Sequence, residues 1–234
     1  MASRGKKYRN VREKVDSQVK YPLDEAVQKV HDLHFAKFDE SVDTAIRLNV
    51  NPKYADQMIR GAAVLPHGTG KTVRVLVFAK GEKEAEALGA GADFAGGDEL
   101  IEKVKGGWMD FDKVIATPDM MGSVGKIGRV LGPRGLMPNP KVGSVTFDVA
   151  NAVKEMKGGR IEFKVEKAGI IHCSIGKVSF DAVKLKENFL ELLNVLLKLR
   201  PSSVKGSYIT GLTLNATMGP GIRVDVNSAI ETLV

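Results

Sequence analysis

The chain has 234 residues, 43% of them hydrophobic and 27% charged, with a net charge of +7 and a pI near 9.4. That is enough apolar material for one large domain or two modest ones, and no apolar run approaches the roughly 18 residues of a membrane-spanning helix. A single cysteine, Cys173, excludes an internal disulfide and suits a reducing compartment. The N-terminal stretch has no apolar core of a secretory signal, so the expected location is cytoplasmic, and the basic balance favours a polyanionic partner.

Arg4, Lys6, Lys7, Arg9, Arg12 and Lys14 crowd the first fourteen residues and predict a short, mobile basic arm. Leu23 to Leu33 has helical spacing, with Asp24 and Glu25 placed for the positive end of the helix dipole. Val42, Thr44, Ile46, Leu48 and Val50 alternate with polar residues, the pattern of a half-buried strand in an open-faced sheet. The middle of the chain alternates differently. Strands are expected at Thr72 to Ala79, Val114 to Thr117 and Ser144 to Phe147. Helices are expected at Glu82 to Leu88, Asp98 to Lys105 and Met120 to Leu131, with another capped by Asp148 and running through Met156. In the last third, Arg160 to Val165 and Ile170 to Ile175 read as a hairpin bent at Gly169. A long amphipathic helix from Asp181 to Leu199 and an alternating strand from Tyr208 to Ala216 follow.

The expected architecture is therefore α/β and α+β in two domains. Residues 1–67 and 160–234 each look incomplete alone and combine into a split α+β domain. Residues 68–159 form an inserted Rossmann-like, three-layer α/β domain. His67, Gly68 and Gly70 on one crossing, with Gly158 and Gly159 on the other, would serve as a two-stranded hinge.

Several tempting motifs fail on inspection. Gly68-Thr69-Gly70-Lys71-Thr72 resembles a phosphate-binding loop, but Leu65 stands where its first glycine belongs and Pro66 removes a backbone donor. The segment also opens a strand, where a phosphate loop opens a helix. A nucleotide-binding enzyme using the inserted domain is therefore the second choice. His31 and His34 lack a third metal ligand, and His172 beside Cys173 on a strand points to the opposite face, so neither metal chemistry nor a nucleophile–base dyad is expected. No cofactor is implied.

Three segments fit a polyanion. Met120 to Phe147 has no acidic residue yet carries Lys126, Arg129, Arg134 and Lys141 around a proline- and glycine-rich stretch from Gly132 to Gly143. That stretch either faces RNA or only shapes its own domain. Asn215 to Gly221 is a glycine-rich strand exit that permits close approach of a sugar–phosphate chain. Lys37 and Phe38 put a cation beside an aromatic ring ahead of the first strand, a pairing suited to RNA.

Together the blocks Val64 to Lys71, Leu131 to Gly143 (LGPRGLMPNPKVG) and Thr217-Met218-Gly219 resemble the bacterial L-one family of large-subunit ribosomal proteins. Ala36-Lys37-Phe38, Trp108 to Asp112 and Gly169 to His172 support the same resemblance. The resemblance implies a non-enzymatic protein whose split domain binds rRNA of the ribosome's mobile lateral stalk. It also implies help with release of deacylated tRNA from the exit site and repression of the protein's own mRNA through its leader. It carries RNA contacts onto Lys37, Phe38, Thr217, Met218 and Gly219, with Glu166 and Lys167 as lesser ones.

Overall fold

A computed structural model describes residues 5–233. The chain divides into two compact units, one made of the residues up to Gly70 together with those from Ile161 onward, the other of Lys71–Arg160. Elements are numbered in chain order.

The first unit opens with α1 (Lys6–Glu13) and α2 (Leu23–Asp32), followed by β1 (Ser41–Leu48) and β2 (Arg60–Val64). After the inserted unit come β6 (Arg160–Lys164), β7 (Ile170–Lys177), α8 (Ala182–Lys198), β8 (Ile209–Ala216), β9 (Ile222–Val224) and α9 (Val226–Glu231). Four strands form an antiparallel sheet in the order β7-β1-β8-β9, and β2 pairs with β6 in a separate two-stranded sheet. Alternation in β1 sends Val42, Thr44, Ile46 and Leu48 inward. There they meet Leu23, Val27 and Val30 of α2 and Leu185, Phe189, Leu192 and Leu196 of α8 in one apolar cluster. At about 25 cal/mol per Å² of apolar surface, this burial is the main force holding the two chain ends together.

The inserted unit holds β3 (Val75–Phe78), α3 (Glu82–Gly89), β4 (Phe94–Gly96), α4 (Asp98–Lys105), β5 (Lys113–Ala116), α5 (Met121–Lys126), α6 (Gly128–Leu131) and α7 (Val149–Lys157). Its parallel sheet has the order β4-β3-β5. All four residues of β3 are buried, because Leu76 and Phe78 pack with α4, α5 and α6 while Val75 and Val77 pack with α7. A parallel strand covered on both faces must be apolar throughout, which is why this stretch shows no alternation. The chain is thus a mixed α/β and α+β fold with a three-layer inserted unit.

Several sequence expectations need correction. The basic arm is helical from Lys6, because Tyr8 and Val11 share a half-buried face at i, i+3 spacing; Arg4 lies outside the described residues. The strand expected from Thr72 begins only at Val75. The helix expected over Met120 to Leu131 breaks at Ile127, in a segment weakened by Gly122, Gly125 and Gly128. Ser144 to Phe147 is no strand; it makes a single parallel bridge, Val145 to Ala116. The turn at Gly169 exists, with φ +75°, but its two arms are not partners along their length: β6 pairs with β2 and β7 with β1. Strand β2 went unread because Arg60–Val64 is short and rich in small residues. Its Gly61 has no room for a side chain, since a Cβ there would lie 2.9 Å from Leu199 and 3.0 Å from Phe163.

Two carboxylates fix the start of β3. Asp93 accepts the Val75 N–H at 2.9 Å and pairs with Lys157 at 3.1 Å. Asp112 accepts the Arg74 N–H at 3.0 Å and its Nε at 3.3 Å. The Val75 N–H first, then Lys157, holds the Asp93 carboxyl below its usual range, and the Arg74 backbone and side chain do the same for Asp112. A carboxyl depressed in the folded state contributes stability above its ordinary value and loses it as pH falls through the folded value. Asp93→Asn should cost about 1 kcal/mol at neutral pH and should lose further stability less steeply than the parent below about pH 4. Thermal unfolding across acid pH checks this, and parallel pH profiles for the two proteins would contradict it.

Candidate nucleic-acid interface

The antiparallel register places Val42 opposite Ala216 and Ser41 opposite Lys177. The entry to β1, the exit of β8 and the exit of β7 therefore meet at one end of the sheet. Thr217 joins the first two: its N–H donates to the Ser41 carbonyl at 3.0 Å. Its Oγ1 accepts the Ser41 N–H at 3.0 Å and donates to the same carbonyl at 3.2 Å.

Glu40 completes the joint. It is fully buried, and its carboxyl group reaches both loops. Oε1 accepts the Ala36 N–H at 2.8 Å and the Phe35 N–H at 3.3 Å, while Oε2 accepts the Met218 N–H at 2.9 Å. The third loop is tied in by Asp39, which accepts the Ser179 hydroxyl at 2.8 Å and N–H at 3.1 Å. Lys177 Nζ donates to the Asp39 carbonyl at 3.2 Å and to Ser41 Oγ at 3.1 Å.

These bonds hold two apolar side chains out in solvent. Phe38 is 56% exposed and Met218 50%. Lys37 beside them is exposed and has no ion pair among the described residues. Gly219 closes a turn by donating its N–H to the Ala216 carbonyl at 3.0 Å. A Cβ at Gly219 would meet nothing nearer than 3.4 Å, so the protein's own packing leaves its backbone approachable from outside. Lys37, Phe38, Thr217, Met218 and Gly219 thus come together on one edge.

Glu166 and Lys167 do not join them. They precede β7, whose Ile170 sits opposite Arg47 at the far end of β1, about 20 Å along the strands from Ser41. There they line a cavity of about 1030 Å³ with Met58, Phe163 and His172. In the inserted unit, Lys126, Arg129, Arg134 and Lys141 are all exposed. Their loop is also packed on its own unit. Leu136 and Met137 lie against the core, and Asn139 caps the following turn by accepting the Lys141 N–H at 2.8 Å.

The phosphate-loop resemblance dissolves in the geometry. Lys71 begins a coil leading to β3. Gly70, at φ +68°, is required because a Cβ would lie 2.9 Å from Lys177 and 3.1 Å from Phe180. Asn188, buried on α8, holds the same crossing: its Oδ1 accepts the His67 N–H at 3.1 Å, and its Nδ2 donates to Gly68 and Ile175 carbonyls at 2.9 Å and 2.8 Å. His67 also contacts Glu187. On the other crossing Gly159 has φ +102° whereas Gly158 is an ordinary helix end. Burial pushes the Cys173 thiol up to about 12, unlike a nucleophile, and His172 beside it is exposed. His34 Nδ1 meets the His31 carbonyl at 2.6 Å.

Sequence reasoning missed Glu40 and Asn188. Each is a single polar residue at an apolar position, Glu40 directly before a strand and Asn188 between Leu185 and Phe189 on the buried face of α8. That signal was available.

A rigid α+β edge presenting a cation, an aromatic ring and open backbone is a surface chemically suited to RNA. Comparison with known proteins makes the class specific. The model of the Ribosomal protein L1p/L10e family matches residues 27–220, and the chain belongs to that family. It is therefore an RNA-binding ribosomal protein, placed with the ribosome in the cytoplasm. Two similar proteins are each called large ribosomal subunit protein uL1. The one from Desulfotalea psychrophila is 60% identical over 96% of both chains, and the one from Desulfosudis oleivorans is 57% identical over the same shares.

Glu40→Ala strips the acceptor from three backbone N–H groups and should cost about 2–4 kcal/mol. Glu40→Gln, which keeps one acceptor oxygen, should cost less. The amide resonances of Ala36 and Met218 should move together in both variants; a shift confined to one loop would contradict the bridge.

Proposed function

We propose that the chain is a structural constituent of the large ribosomal subunit. In this reading the edge formed by Lys37, Phe38, Thr217, Met218 and Gly219 grips a folded segment of large-subunit rRNA in the mobile lateral stalk. The observation that carries it is the pair of solvent-exposed apolar side chains, Phe38 and Met218, on loops stitched by one buried carboxyl group. Exposed rings and thioethers offer faces to bases and riboses, and hydrogen bonds to the 2′-OH separate RNA from DNA. The names of the two relatives support the large subunit as the place of assembly.

The chemistry is recognition without catalysis. Glu166 and Lys167 make a secondary contact from the far end of the sheet. Lys126, Arg129, Arg134 and Lys141 give the inserted unit a cationic loop for RNA or exit-site tRNA, and its displacement assists departure of deacylated tRNA. The terminal unit spans residues 1–67 and 160–234 and the inserted one 68–159, with His67, Gly68, Gly70, Gly158 and Gly159 as the hinge between them. The same edge serves an RNA of similar shape in the protein's own mRNA leader, which gives repression.

Filter-binding against the stalk rRNA fragment, with duplex DNA of equal length as competitor, tests the reading. Binding should resist the DNA. Phe38→Ala and Met218→Ala should each weaken it by roughly tenfold or more, as loss of one stacked or packed base would. Lys37→Ala should lower the slope of log affinity against log salt by just under one. Unchanged affinity in both apolar variants would overturn the site; full displacement by DNA would overturn the function.

A further inference from the structure

One side chain joins three segments of the inserted unit. Arg160 is the first residue of β6, at the point where the chain leaves that unit. Its side chain is only 13% exposed, and one guanidinium nitrogen pairs with Glu155 on α7. Another donates to the carbonyl of Val142, in the turn that closes the proline- and glycine-rich loop. The neighbouring residue leaves room for it: Gly143 turns at φ +69°, and a Cβ there would collide with the guanidinium. The turn is also knotted on itself. Ser144 Oγ accepts the Asn139 N–H at 2.8 Å and donates to the Asn139 carbonyl at 3.2 Å, while the Gly143 N–H donates to the Pro140 carbonyl at 3.0 Å. Val142 is buried, so its carbonyl needs a donor from the protein.

We propose that Arg160 is a latch: it positions the second half of the cationic loop, which bears Lys141, and makes the order of that half depend on the path of the second crossing. Glu155 and Arg160 stand on either side of Gly159, whose φ is +102°. A change of path at Gly159 moves the base of the Arg160 side chain relative to α7. The guanidinium must then let go of Val142 or carry the turn with it. Arginine suits the post because its planar fork reaches a carboxylate and a carbonyl at once, whereas a lysine ammonium is a point charge. The Arg160 Nε is buried and has no partner among the described residues. A cation that leaves a buried donor unused is held less firmly than a fully bonded one, which fits a contact that opens and closes. The latch works whatever the loop binds.

Hydrogen exchange of the full chain, read amide by amide by NMR, tests the latch. Arg160→Ala should speed exchange at Val142, Gly143 and Ser144 by about tenfold or more, as local opening of one segment does. Gly135 and Leu136, bonded within the first half of the loop to Gly132 and Leu131, should keep parent rates. Arg160→Lys should speed the same three amides less, which keeps the test readable if the alanine variant folds poorly. Gly159→Ala touches neither partner of the guanidinium but forces a new path at the crossing, since its φ belongs to glycine. It should also speed the three loop amides, and in an Arg160→Ala background it should add nothing there. That loss of effect separates a latch from a residue that only fills space. Parent rates at the three amides in both Arg160 variants would overturn the proposal. So would a Gly159→Ala effect that stays outside the loop or survives without Arg160. A rise spread evenly over the unit, the buried strand β3 included, would show general loosening and overturn it as well.

Discussion

The buried carboxyl group of Glu40 is the constraint on which the candidate interface depends. Burying a carboxyl is costly unless its oxygens find donors. Here the donors are the N–H groups of Phe35, Ala36 and Met218, drawn from loops about 180 residues apart in sequence and adjacent only because β1 and β8 pair. The fold brings the loops near each other, and the carboxyl fixes their spacing. With Thr217 bonded twice through its hydroxyl to Ser41, little freedom remains at the edge. A surface so ordered beforehand would lose little entropy on docking a partner, so a proposed interface with few charges need not be weak.

The same economy appears at the crossings between the units. Asn188 uses both Nδ2 hydrogens and its Oδ1 on Gly68, Ile175 and His67, so the first crossing is anchored to α8 until just before Gly70. On the inserted side, Asp93 and Asp112 fix the first residues of β3. In each case a lone polar side chain satisfies backbone groups that a chain leaving one sheet for another would otherwise leave unpaired.

The amphipathic elements were legible because their burial is periodic: α2, β1, α4, α7 and α8 fall within a residue or two of where the spacing put them. The residues that meet at the loop edge were legible as candidates through Lys37-Phe38 and the glycine-rich exit of β8, and through the resemblance those residues carry. What was hidden depended on distant partners. The β6 strand pairs with β2 because Gly61 fits under Phe163 and Leu199, a steric fact no local pattern announces. The helix over Met120 to Leu131 was overread because its apolar spacing masked three glycines. Glu166 and Lys167 stand next to a strand that reaches the edge, but at its other end, and only the antiparallel register of β7 reveals this.

The central claim is that the two loops act as one surface because Glu40 couples them, and a double-mutant cycle on Phe38 and Met218 tests it most directly. The affinity for the stalk rRNA fragment would be measured for the parent, Phe38→Ala, Met218→Ala and the double variant. A shared, preordered surface predicts effects that fail to add by more than about 0.5 kcal/mol, with the discrepancy shrinking in a Glu40→Gln background. Effects that add within that margin in both backgrounds would mean the loops bind independently, and would contradict the account.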